Sequence, residues 1–483
     1  MNLQDLSIFK NKCLINGQWL SHSELVDVRN PADGKFLTQV PKMEGVETKL
    51  AIDAANRALN SWKSLTAYNR AEILMKWHDL VVEHASDLGT IMTLEQGKPL
   101  REAEGEVLYA ASYIKWFAEE ARRAYGEIIP SEDNTKKILV TKEPIGVCAA
   151  ITPWNFPAAM ITRKVAPALA AGCTIIVKPA METPLTAFAL LGLAQDAGVP
   201  DGVINVLTGD SQKIGAEMTS NPIVRKLSFT GSTSVGSKLM ADCAPSIKKL
   251  SLELGGNAPF IVFEDANLEL AASELIKSKF RNAGQTCVCA NRIYIQKGVY
   301  ERFSNIFLEK VKQLKVGNGL EPNTDIGPLI DKKAVHKVRQ HIEDALSKGA
   351  SILIGGEPHS NGDNWFPPTV LLNANQNMQC ANEETFGPLA PLICFDTIDE
   401  AIQMANNSEF GLAAYMFSEN HRTIEKVSSS LEVGMVGVNT GIISTAVAPF
   451  GGVKSSGIGR EGARAGLDEY LETKYVCYGM GLS

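Results

Sequence analysis

Three polar residues of this 483-residue chain have the side chains of a covalent catalyst. Cys287 lies in FRNAGQTCVCAN, where small and polar neighbours favour an exposed thiol, and a base or a nearby charge must activate it as a nucleophile. Glu253, in KKLSLELGG, ends a predicted strand, where a carboxylate can activate water to hydrolyse a thioester. Asn155, in ITPWNFPAA, lies between two prolines, and its amide can donate to an oxyanion.

Each of these residues also has a plain structural explanation. A cysteine is more often a structural thiol than a nucleophile, and the alternation of Glu253 with leucines is also typical of the solvent face of an edge strand. Asn155 is equally suited to a turn. The residue types alone leave these alternatives open.

A second group of residues has the arrangement of a phosphate-binding turn. Gly231 follows the predicted strand KLSFT and opens a helix, so free N–H groups and the positive end of the helix dipole face the place where a pyrophosphate binds. Lys178 ends the strand TIIVK, at the carboxyl edge where open sheets bind ligands. The turn lacks the full GxGxxG spacing, so a packing turn and a solvated strand-end lysine stay open as alternatives.

The predicted helices and strands that position these residues fall into three regions along the chain. Residues from Gly45 to about Tyr125 have helical periodicity, and GEIIPSEDNTKKILVTKEPIGVCAAI has the alternation of a β-hairpin. From Val147 onward, short apolar strands alternate with helices, which predicts parallel sheets covered on both faces. We therefore expect an α/β protein with two domains, a cleft near residues 253–257 and a hairpin arm suited to oligomerisation.

Composition excludes several kinds of partner. A net charge of -7 and a pI of about 5.7 argue against nucleic acid or an anionic membrane surface, and no apolar run is long enough to span a bilayer. The N-terminal residues have no secretory-signal pattern, and nine scattered cysteines favour free thiols in a reducing compartment, with the cytoplasm as the expectation. The seven histidines lie apart, so we expect no metal site.

Five segments together carry a resemblance to a known family: TPWNFP, SLELGGNAP, FRNAGQTC, EETFGP and PFGGVKSSGIGRE, in that order. From about Leu14 onward the chain resembles the aldehyde dehydrogenase superfamily. The resemblance implies that Cys287 is the nucleophile, that Glu253 is the general base, and that Asn155 with the Cys287 backbone N–H forms the oxyanion hole. It also implies a Rossmann-type dinucleotide site formed by Trp154, Asn155, Lys178, Pro179, Ala180, Met181, Gly231, Ser232 and Leu254, with Glu384 and Phe386 at the nicotinamide end.

The chain looks most similar to the succinate-semialdehyde branch of that superfamily, notably in LEQGKPL, NFPAAMITRK and RNAGQTCVCANR. Arg163, Arg281 and Ser444 match positions that bind the second carboxylate of that substrate, for which arginine is suited because it forms two parallel hydrogen bonds. By themselves the two arginines are more typical of a surface, and Ser444 of a loop. Glutarate semialdehyde stays open as an alternative substrate.

One residue departs from the family pattern. Met181, in KPAMETP, stands where NADP-using relatives often have serine and many NAD-using ones have glutamate. Because methionine does not repel a 2′-phosphate and Lys178 is available to bind it, we expect NADP, with NAD as the alternative, although the neighbouring Glu182 could point inward.

The resemblance also implies domain bounds. We expect a dinucleotide-binding domain at 1–124 and 145–256, a catalytic domain at 257–445, and an oligomerisation arm at 125–144 and 465–483 that makes the protein a homodimer or homotetramer. A reversible disulfide between Cys287 and Cys289 is a further hypothesis. The rival functions are a catalytically inactive scaffold, a cysteine acyl hydrolase or transferase without redox chemistry, and a dehydrogenase that passes its acyl group to coenzyme A.

Overall fold

The computed structural model describes residues 3–480. Its first sheet has eight strands, of which the central five are parallel and the outer ones antiparallel. Their spatial order is Gln18–Leu20, Cys13–Ile15, Ile204–Val206, Thr174–Lys178, Val147–Ile151, Val224–Thr230, Lys249–Glu253 and Gly457–Ile458.

The strand order of this sheet creates a crevice. The parallel part of the sheet begins in the middle at Val147–Ile151 and extends outward through Thr174–Lys178 to Ile204–Val206. The chain then returns to the other side of Val147–Ile151 through Val224–Thr230 and Lys249–Glu253. At such a switch of direction the loops leaving neighbouring strands diverge, and ligands bind beyond the carboxyl ends of the strands. Asn155 and Gly231 both follow strands at this switch point.

The second sheet has seven strands, parallel except for the outermost pair at one edge. Their spatial order is Ser351–Ile354, Thr369–Ala374, Leu389–Phe395, Ala290–Gln296, Ala258–Val262, Ala413–Phe417 and Met435–Val438. The central strands of both sheets are buried apolar runs, as expected for parallel strands with helices on both faces. The α/β fold class predicted from the sequence is confirmed.

A third, antiparallel sheet forms the arm, in the order Leu471–Gly479, Lys136–Pro144 and Glu127–Ile129. The predicted hairpin is therefore present, and its other neighbour is the last strand of the chain. Two strand pairs complete the sheets: Leu25–Arg29 with Phe36–Pro41, and Phe410–Gly411 with Val453–Lys454. The domain bounds given above stay a prediction.

Helices cover the two open sheets, and two separate apolar clusters form the cores beneath them. Trp62 and Trp77 link the N-terminal helices to the helices Ala159–Ala171 and Pro184–Asp196. Their indole N–H groups donate to the Leu169 and Leu190 carbonyls at 3.2 and 2.9 Å. Within residues 3–480, no helix combines the length and apolar character needed to cross a bilayer. The α-helices are Gly45–Ser64, Ala67–Glu83, Ala85–Gln96, Leu100–Glu120, Ala159–Ala171, Pro184–Asp196, Ser211–Ser220, Thr233–Cys243, Leu268–Phe280, Tyr300–Val311, Lys332–Ser347, Gln379–Asn382, Ile398–Asn406, His421–Ser430 and Ala463–Asp468.

Candidate active site

A cleft of about 760 Å³ opens at the switch point of the first sheet. Eight of the residues singled out in the sequence line it, namely Trp154, Asn155, Gly231, Ser232, Leu254, Cys287, Glu384 and Phe386. The structure therefore brings the predicted nucleophile and most of the predicted dinucleotide residues to one place. Pro153, Thr230, Gly255 and Lys337 complete the wall.

One wall of the cleft has the features of a pyrophosphate site. Ser232 is the N-cap of the helix Thr233–Cys243, and its hydroxyl accepts the Val235 N–H at 3.4 Å. The first N–H groups of a helix have no intrahelical acceptor, so they and the helix dipole favour an anion at this end. A Cβ on Gly236 would lie 2.4 Å from the Leu254 side chain, so glycine allows Leu254 to pack on the first turn. These residues fit a bound dinucleotide.

The opposite wall comes from the segment around Glu384. The ring of Phe386 meets that of Trp154 edge to face, with centroids 5.7 Å apart. The Glu384 carboxylate accepts the Gly256 N–H at 3.2 Å. Burial raises the pKa of Glu384 to about 7, although this hydrogen bond opposes the shift. Glu384 thus places a hydrogen-bonding carboxyl group on this wall of the cleft.

A left-handed turn presents Cys287 to the cleft. Asn282, Ala283 and Gly284 all have positive φ, at 51°, 54° and 76°. A Cβ on Gly284 would lie 2.2 Å from the Gly387 carbonyl, so the turn presses against the segment that carries Glu384. This turn interrupts the chain between the helix Leu268–Phe280 and the strand Ala290–Gln296. The half-buried Cys287 therefore lies on a loop rather than within a packed element.

Buried amides hold that turn in place. The Asn282 side chain donates to the Asn155 carbonyl at 3.0 Å and accepts from Gln96 at 2.9 Å. Asn155 in turn donates from Nδ2 to the Gln285 carbonyl at 3.0 Å. Because an amide nitrogen carries two hydrogens, Asn155 keeps a second N–H that can donate to an oxyanion.

A buried ion pair lies behind this network. Lys98 pairs with Glu106, and its ammonium also donates to the Asn155 carbonyl at 2.8 Å. The other Glu106 oxygen accepts the backbone N–H groups of Ala158 and Ala159, at 2.9 and 3.2 Å, where the helix Ala159–Ala171 begins. The pair therefore fixes both the backbone of Asn155 and the helix that carries Arg163.

The charges around Cys287 set its protonation. Burial raises the pKa of the thiol to about 12, and Glu384 and Glu253 act in the same direction. Arg163 and Arg281 oppose the shift. The free protein thus holds Cys287 as a thiol at neutral pH, and bases or cations within the site must favour the thiolate during a reaction.

Glu253 is buried, and its strand is not at the edge of the sheet. Gly457–Ile458 pairs antiparallel on its outer side, so the explanation of Glu253 as part of the solvent face of an edge strand is wrong. Burial and the neighbouring Glu461 raise the pKa of Glu253 well above its usual range, against Lys164, Arg163 and Arg460. A carboxyl group with a raised pKa is a stronger base once it has lost its proton.

Several buried polar atoms around Cys287 have no hydrogen-bond partner in residues 3–480. Buried polar groups are normally paired, so unpaired ones mark the places of a substrate, a water molecule or an ion. They are Asn155 Oδ1, Arg163 Nε, both Glu253 carboxylate oxygens, Arg281 Nε and Thr286 Oγ1, whereas the unbonded Glu461 Oε2 lies 3.6 Å from an Arg163 nitrogen and so is ion-paired.

The two arginines predicted to bind a carboxylate differ in their surroundings. Arg163 is buried, lies 4.0 Å from the centroid of the Phe450 ring and donates to the Tyr109 hydroxyl at 2.8 Å, so it is not the surface residue that its type alone suggests. Arg281 is half-buried and stacks 5.2 Å from the Phe156 ring. Ser444 is half-buried on the loop after the strand Met435–Val438.

Lys178, Pro179, Ala180 and Met181 lie outside the cleft that contains Cys287. Lys178 is buried, so the explanation of a solvated lysine is wrong, and its ammonium donates only to the Pro179 carbonyl, at 3.4 Å, within residues 3–480. Burial lowers the pKa of Lys178, against the attraction of Glu182 and Asp210. Ala180 accepts the Thr183 N–H at 3.4 Å, and the Met181 sulfur accepts the Gly209 N–H at 3.2 Å.

All nine cysteines are free thiols. The buried Cys289 contacts the Lys279 ammonium, which lies 3.2 Å from its sulfur, so the two cysteines of the proposed disulfide are unbonded here and that hypothesis stays a prediction. In residues 3–480, no group of three or more His, Cys, Asp or Glu side chains is arranged to hold a metal ion.

Sequence reasoning missed Lys337, Gln96, Lys98 and Asn282. Lys337 comes from the middle of the helix Lys332–Ser347, and no local pattern indicates that this helix faces a cleft. Gln96 and Lys98 stand in LEQGKPL, a segment that carries the resemblance but assigns neither residue a role. The available signal was that Gln96 and Lys98 are polar residues at and just after the end of the apolar helix Ala85–Gln96, which indicates a polar contact there.

A doubly wound sheet with a pyrophosphate-type helix start, and a cysteine on a loop that faces the same cleft, fit the class of dinucleotide-dependent oxidoreductases. The family model described as the aldehyde dehydrogenase family matches residues 19–476, and the chain belongs to that family. It is thus an NAD(P)-dependent aldehyde dehydrogenase, as the sequence predicted.

Individual relatives are similar over almost the whole chain. The NADP-dependent succinate-semialdehyde dehydrogenase of Escherichia coli is 58% identical, with 99% of this chain and 100% of that protein covered. The glutarate-semialdehyde dehydrogenase of Pseudomonas aeruginosa is 54% identical, with the same coverage of 99% and 100%. A crystal structure described as an E. coli NADP-dependent enzyme superposes with a TM-score of 0.98 at 57% identity, covering 99% of this chain and 100% of that one.

Proposed function

We propose that this chain oxidises succinate semialdehyde to succinate with reduction of NADP, through a covalent intermediate on Cys287. The observation that carries the proposal is the set of unpaired buried atoms around the thiol, which includes guanidinium donors of Arg163 and Arg281 and the carboxylate of Glu253. Arg163, Arg281 and Glu253 do not line the cleft itself, and Arg281 lines a second pocket, but the charges of all three act on the pKa of the Cys287 thiol. Glutarate semialdehyde, one methylene longer, is the alternative substrate.

The reaction begins with a bond from the Cys287 sulfur to the aldehyde carbon. The thiol gives up its proton to solvent in the open cleft as the bond forms, so that Glu253 stays deprotonated for the later attack by water. The carbonyl electrons become an oxyanion, which the remaining Asn155 N–H stabilises together with the Cys287 backbone N–H. The product of this step is a thiohemiacetal.

The thiohemiacetal then collapses to a thioester as its carbon loses a hydride. A bound nicotinamide dinucleotide supplies the acceptor for that hydride. Trp154 and Phe386, whose rings meet edge to face, line the cleft, and Glu384 offers hydrogen-bond acceptors at the nicotinamide end. Glu253 next takes a proton from water, the hydroxide attacks the thioester carbon, and the carbon–sulfur bond breaks to release the acid and the Cys287 thiolate.

A second carboxylate on the aldehyde accounts for the arginines. A buried guanidinium with an unpaired N–H is costly, and a carboxylate ligand satisfies it with charge-assisted bonds. Arg163 and Arg281 both have such an atom at Nε, although another Arg163 nitrogen already lies 3.6 Å from Glu461, and the charges of both arginines act on the pKa of Cys287. Ser444 is the third residue that we assign to this carboxylate.

The preference for NADP rests on the segment after the strand Thr174–Lys178. The ammonium of Lys178, at the end of that strand, bonds within residues 3–480 only to the Pro179 carbonyl, and Met181 turns its sulfur toward the Gly209 N–H rather than placing a negative charge there. The similar E. coli enzyme is also named as NADP-dependent. Glu182 is exposed, and its attraction only partly offsets the burial that lowers the pKa of Lys178.

The test is a matrix of substrates and cofactors. Succinate semialdehyde, glutarate semialdehyde and an uncharged aldehyde of similar length are each supplied with NADP and with NAD, and the reduced cofactor is followed. We expect the highest kcat/KM for succinate semialdehyde with NADP. In Arg281→Leu this preference for the charged aldehyde should fall about tenfold or more, while the exposed control Arg339→Leu keeps it. Equal turnover of charged and uncharged aldehydes by the wild type would overturn the assignment.

We propose further that the protein is a homodimer or homotetramer in a reducing compartment such as the cytoplasm. The strand Leu471–Gly479 at the edge of the arm sheet is largely exposed, and such an edge is suited to pairing with another copy. The nine free thiols support the reducing compartment. Light scattering on the purified full chain tests the oligomeric state.

A further inference from the structure

His341 is a buried histidine outside the catalytic set. It lies in the helix Lys332–Ser347, is 1% exposed, and its Nδ1 lies 3.1 Å from the Thr385 hydroxyl. Its Nε2 lies 3.5 Å from a Glu383 carboxylate oxygen. One imidazole therefore contacts the residues on both sides of Glu384, the side chain that we assign to the nicotinamide end of the cofactor.

The contacts define the state of the ring. A carboxylate only accepts hydrogen bonds, so Nε2 carries a hydrogen toward Glu383, and in the neutral ring Nδ1 accepts from the Thr385 hydroxyl. Burial and Lys337 lower the pKa of His341, against Glu383 and Asp344, which keeps the ring neutral at neutral pH. The Thr385 bond is the stronger of the two, because it is buried and Glu383 is 58% exposed.

The same segment is held from two other directions. The Thr385 N–H donates to Asn291 Oδ1 at 3.3 Å, and a Cβ on Gly387 would lie 2.4 Å from the Val338 side chain. Val338 and His341 are neighbours on one helical face, so the helix packs on the segment with an apolar and a polar contact. Phe386 lies between Thr385 and Gly387 in the sequence and has a φ of 55°, a backbone conformation that needs support from its surroundings.

We propose that His341 is a positioning residue for the dinucleotide, which fixes Glu384 and Phe386 at the cleft wall by its bond to Thr385. The inference rests on the proposed function, since it assigns Glu384 and Phe386 to the cofactor. Loss of the bond leaves a buried hydroxyl without a partner and frees the segment, so the cofactor must order the segment when it binds.

The experiment measures NADPH binding to the full-length protein by isothermal titration calorimetry, without an aldehyde. In His341→Leu the Kd should rise about tenfold, whereas His341→Gln, which can still bond to Thr385, should restore most of the affinity. The control is His336→Leu, an exposed histidine of the same helix, which should bind as the wild type does. In steady state, the KM for NADP should rise in His341→Leu while the KM for the aldehyde stays unchanged.

Thr385→Val removes the same bond from its other end and keeps the test valid if His341→Leu does not fold. It should weaken NADPH binding to a similar degree, and the double variant should be no weaker than either single one. An unchanged Kd in a folded His341→Leu or Thr385→Val protein overturns the inference. If the wild type binds neither NADPH nor NADH, the proposed function fails instead.

Discussion

The Asn155 side chain donates a hydrogen bond to the Gln285 carbonyl at 3.0 Å and so joins the first sheet to the loop that carries the nucleophile. Asn155 follows the strand Val147–Ile151, whereas Gln285 lies two residues before Cys287. The proposed oxyanion donor and the thiol are thus fixed relative to each other by a direct bond. A second bond, from Asn282 to the Asn155 carbonyl at 3.0 Å, constrains the same pair of loops.

Asn155→Ala should reduce kcat about 10²–10³-fold, because it removes the donor that stabilises the oxyanion. The measurement is steady-state oxidation of the aldehyde at saturating cofactor. Because Asn155 also belongs to the predicted dinucleotide site, the Kd for NADPH is measured as well, and kcat is determined at a cofactor concentration that saturates the variant. A kcat close to that of the wild type would contradict the assigned role.

The rate of alkylation of Cys287 by iodoacetamide should rise about tenfold per pH unit between about pH 7 and pH 10. Burial raises the pKa of this thiol to about 12, so the thiolate fraction continues to grow over that whole range. Mass spectrometry of the modified peptide distinguishes it from the exposed Cys394 and Cys477. A plateau near pH 9 would show instead that the thiol titrates as an unburied cysteine does.

The sequence predicted the parts of this site that local patterns encode. The runs VCAAI and TIIVK are apolar on both faces and therefore identify buried parallel strands, and Gly231 marks the helix start that follows such a strand. The alternation in KKLSLELGG correctly indicated a strand. It did not show that Gly457–Ile458, about two hundred residues later, covers the side on which Glu253 lies.

Contacts between distant segments explain what the sequence did not predict. Gln96 reaches Asn282 across 186 residues, and His341 reaches Thr385 across 44. Nothing in the neighbourhood of either residue indicates its partner, because the sheet order that brings them together is itself a tertiary property. The positive φ of Asn282 and Ala283 is also imposed by these contacts, since alanine has no preference of its own for that conformation.

Lys98→Met should lower the free energy of unfolding by about 3–5 kcal/mol, because it leaves the buried Glu106 charge without its partner. Urea unfolding measures the change. The double variant with Glu106→Gln should be less destabilised than Lys98→Met alone, since no unpaired charge remains. The exposed pair Lys238–Asp242 provides the control, and Lys238→Met should cost at most about 1 kcal/mol. Equal costs for the two lysines would show that the buried pair has no special role.

Met181→Glu should raise the Kd for NADP about tenfold or more and leave that for NAD nearly unchanged. The new carboxylate would face the 2′-phosphate near Lys178, and like charges repel, whereas the 2′-hydroxyl of NAD can donate to it. Titration calorimetry with each cofactor tests the difference. Met181→Gln is the matched control, because it has nearly the same shape without the charge. Equal weakening of NADP and NAD by glutamate would place the 2′-phosphate elsewhere.

Glu253→Gln should release a burst of about one reduced cofactor per active site and then slow by about 10²–10⁴-fold. Thioester formation needs the thiol and a hydride acceptor, whereas thioester hydrolysis also needs a base for water, which glutamine does not supply. Because the pKa of Glu253 is raised, the fraction of Glu253 in the carboxylate form increases as pH rises. The rate of thioester hydrolysis by the wild type should therefore increase with pH. The slow phase of the variant should not. Rapid-mixing absorbance of the reduced cofactor measures both phases, and Glu264→Gln, at an exposed glutamate, is the control. A variant with no burst would place Glu253 in the first half of the reaction, and one with wild-type turnover would remove it from the mechanism.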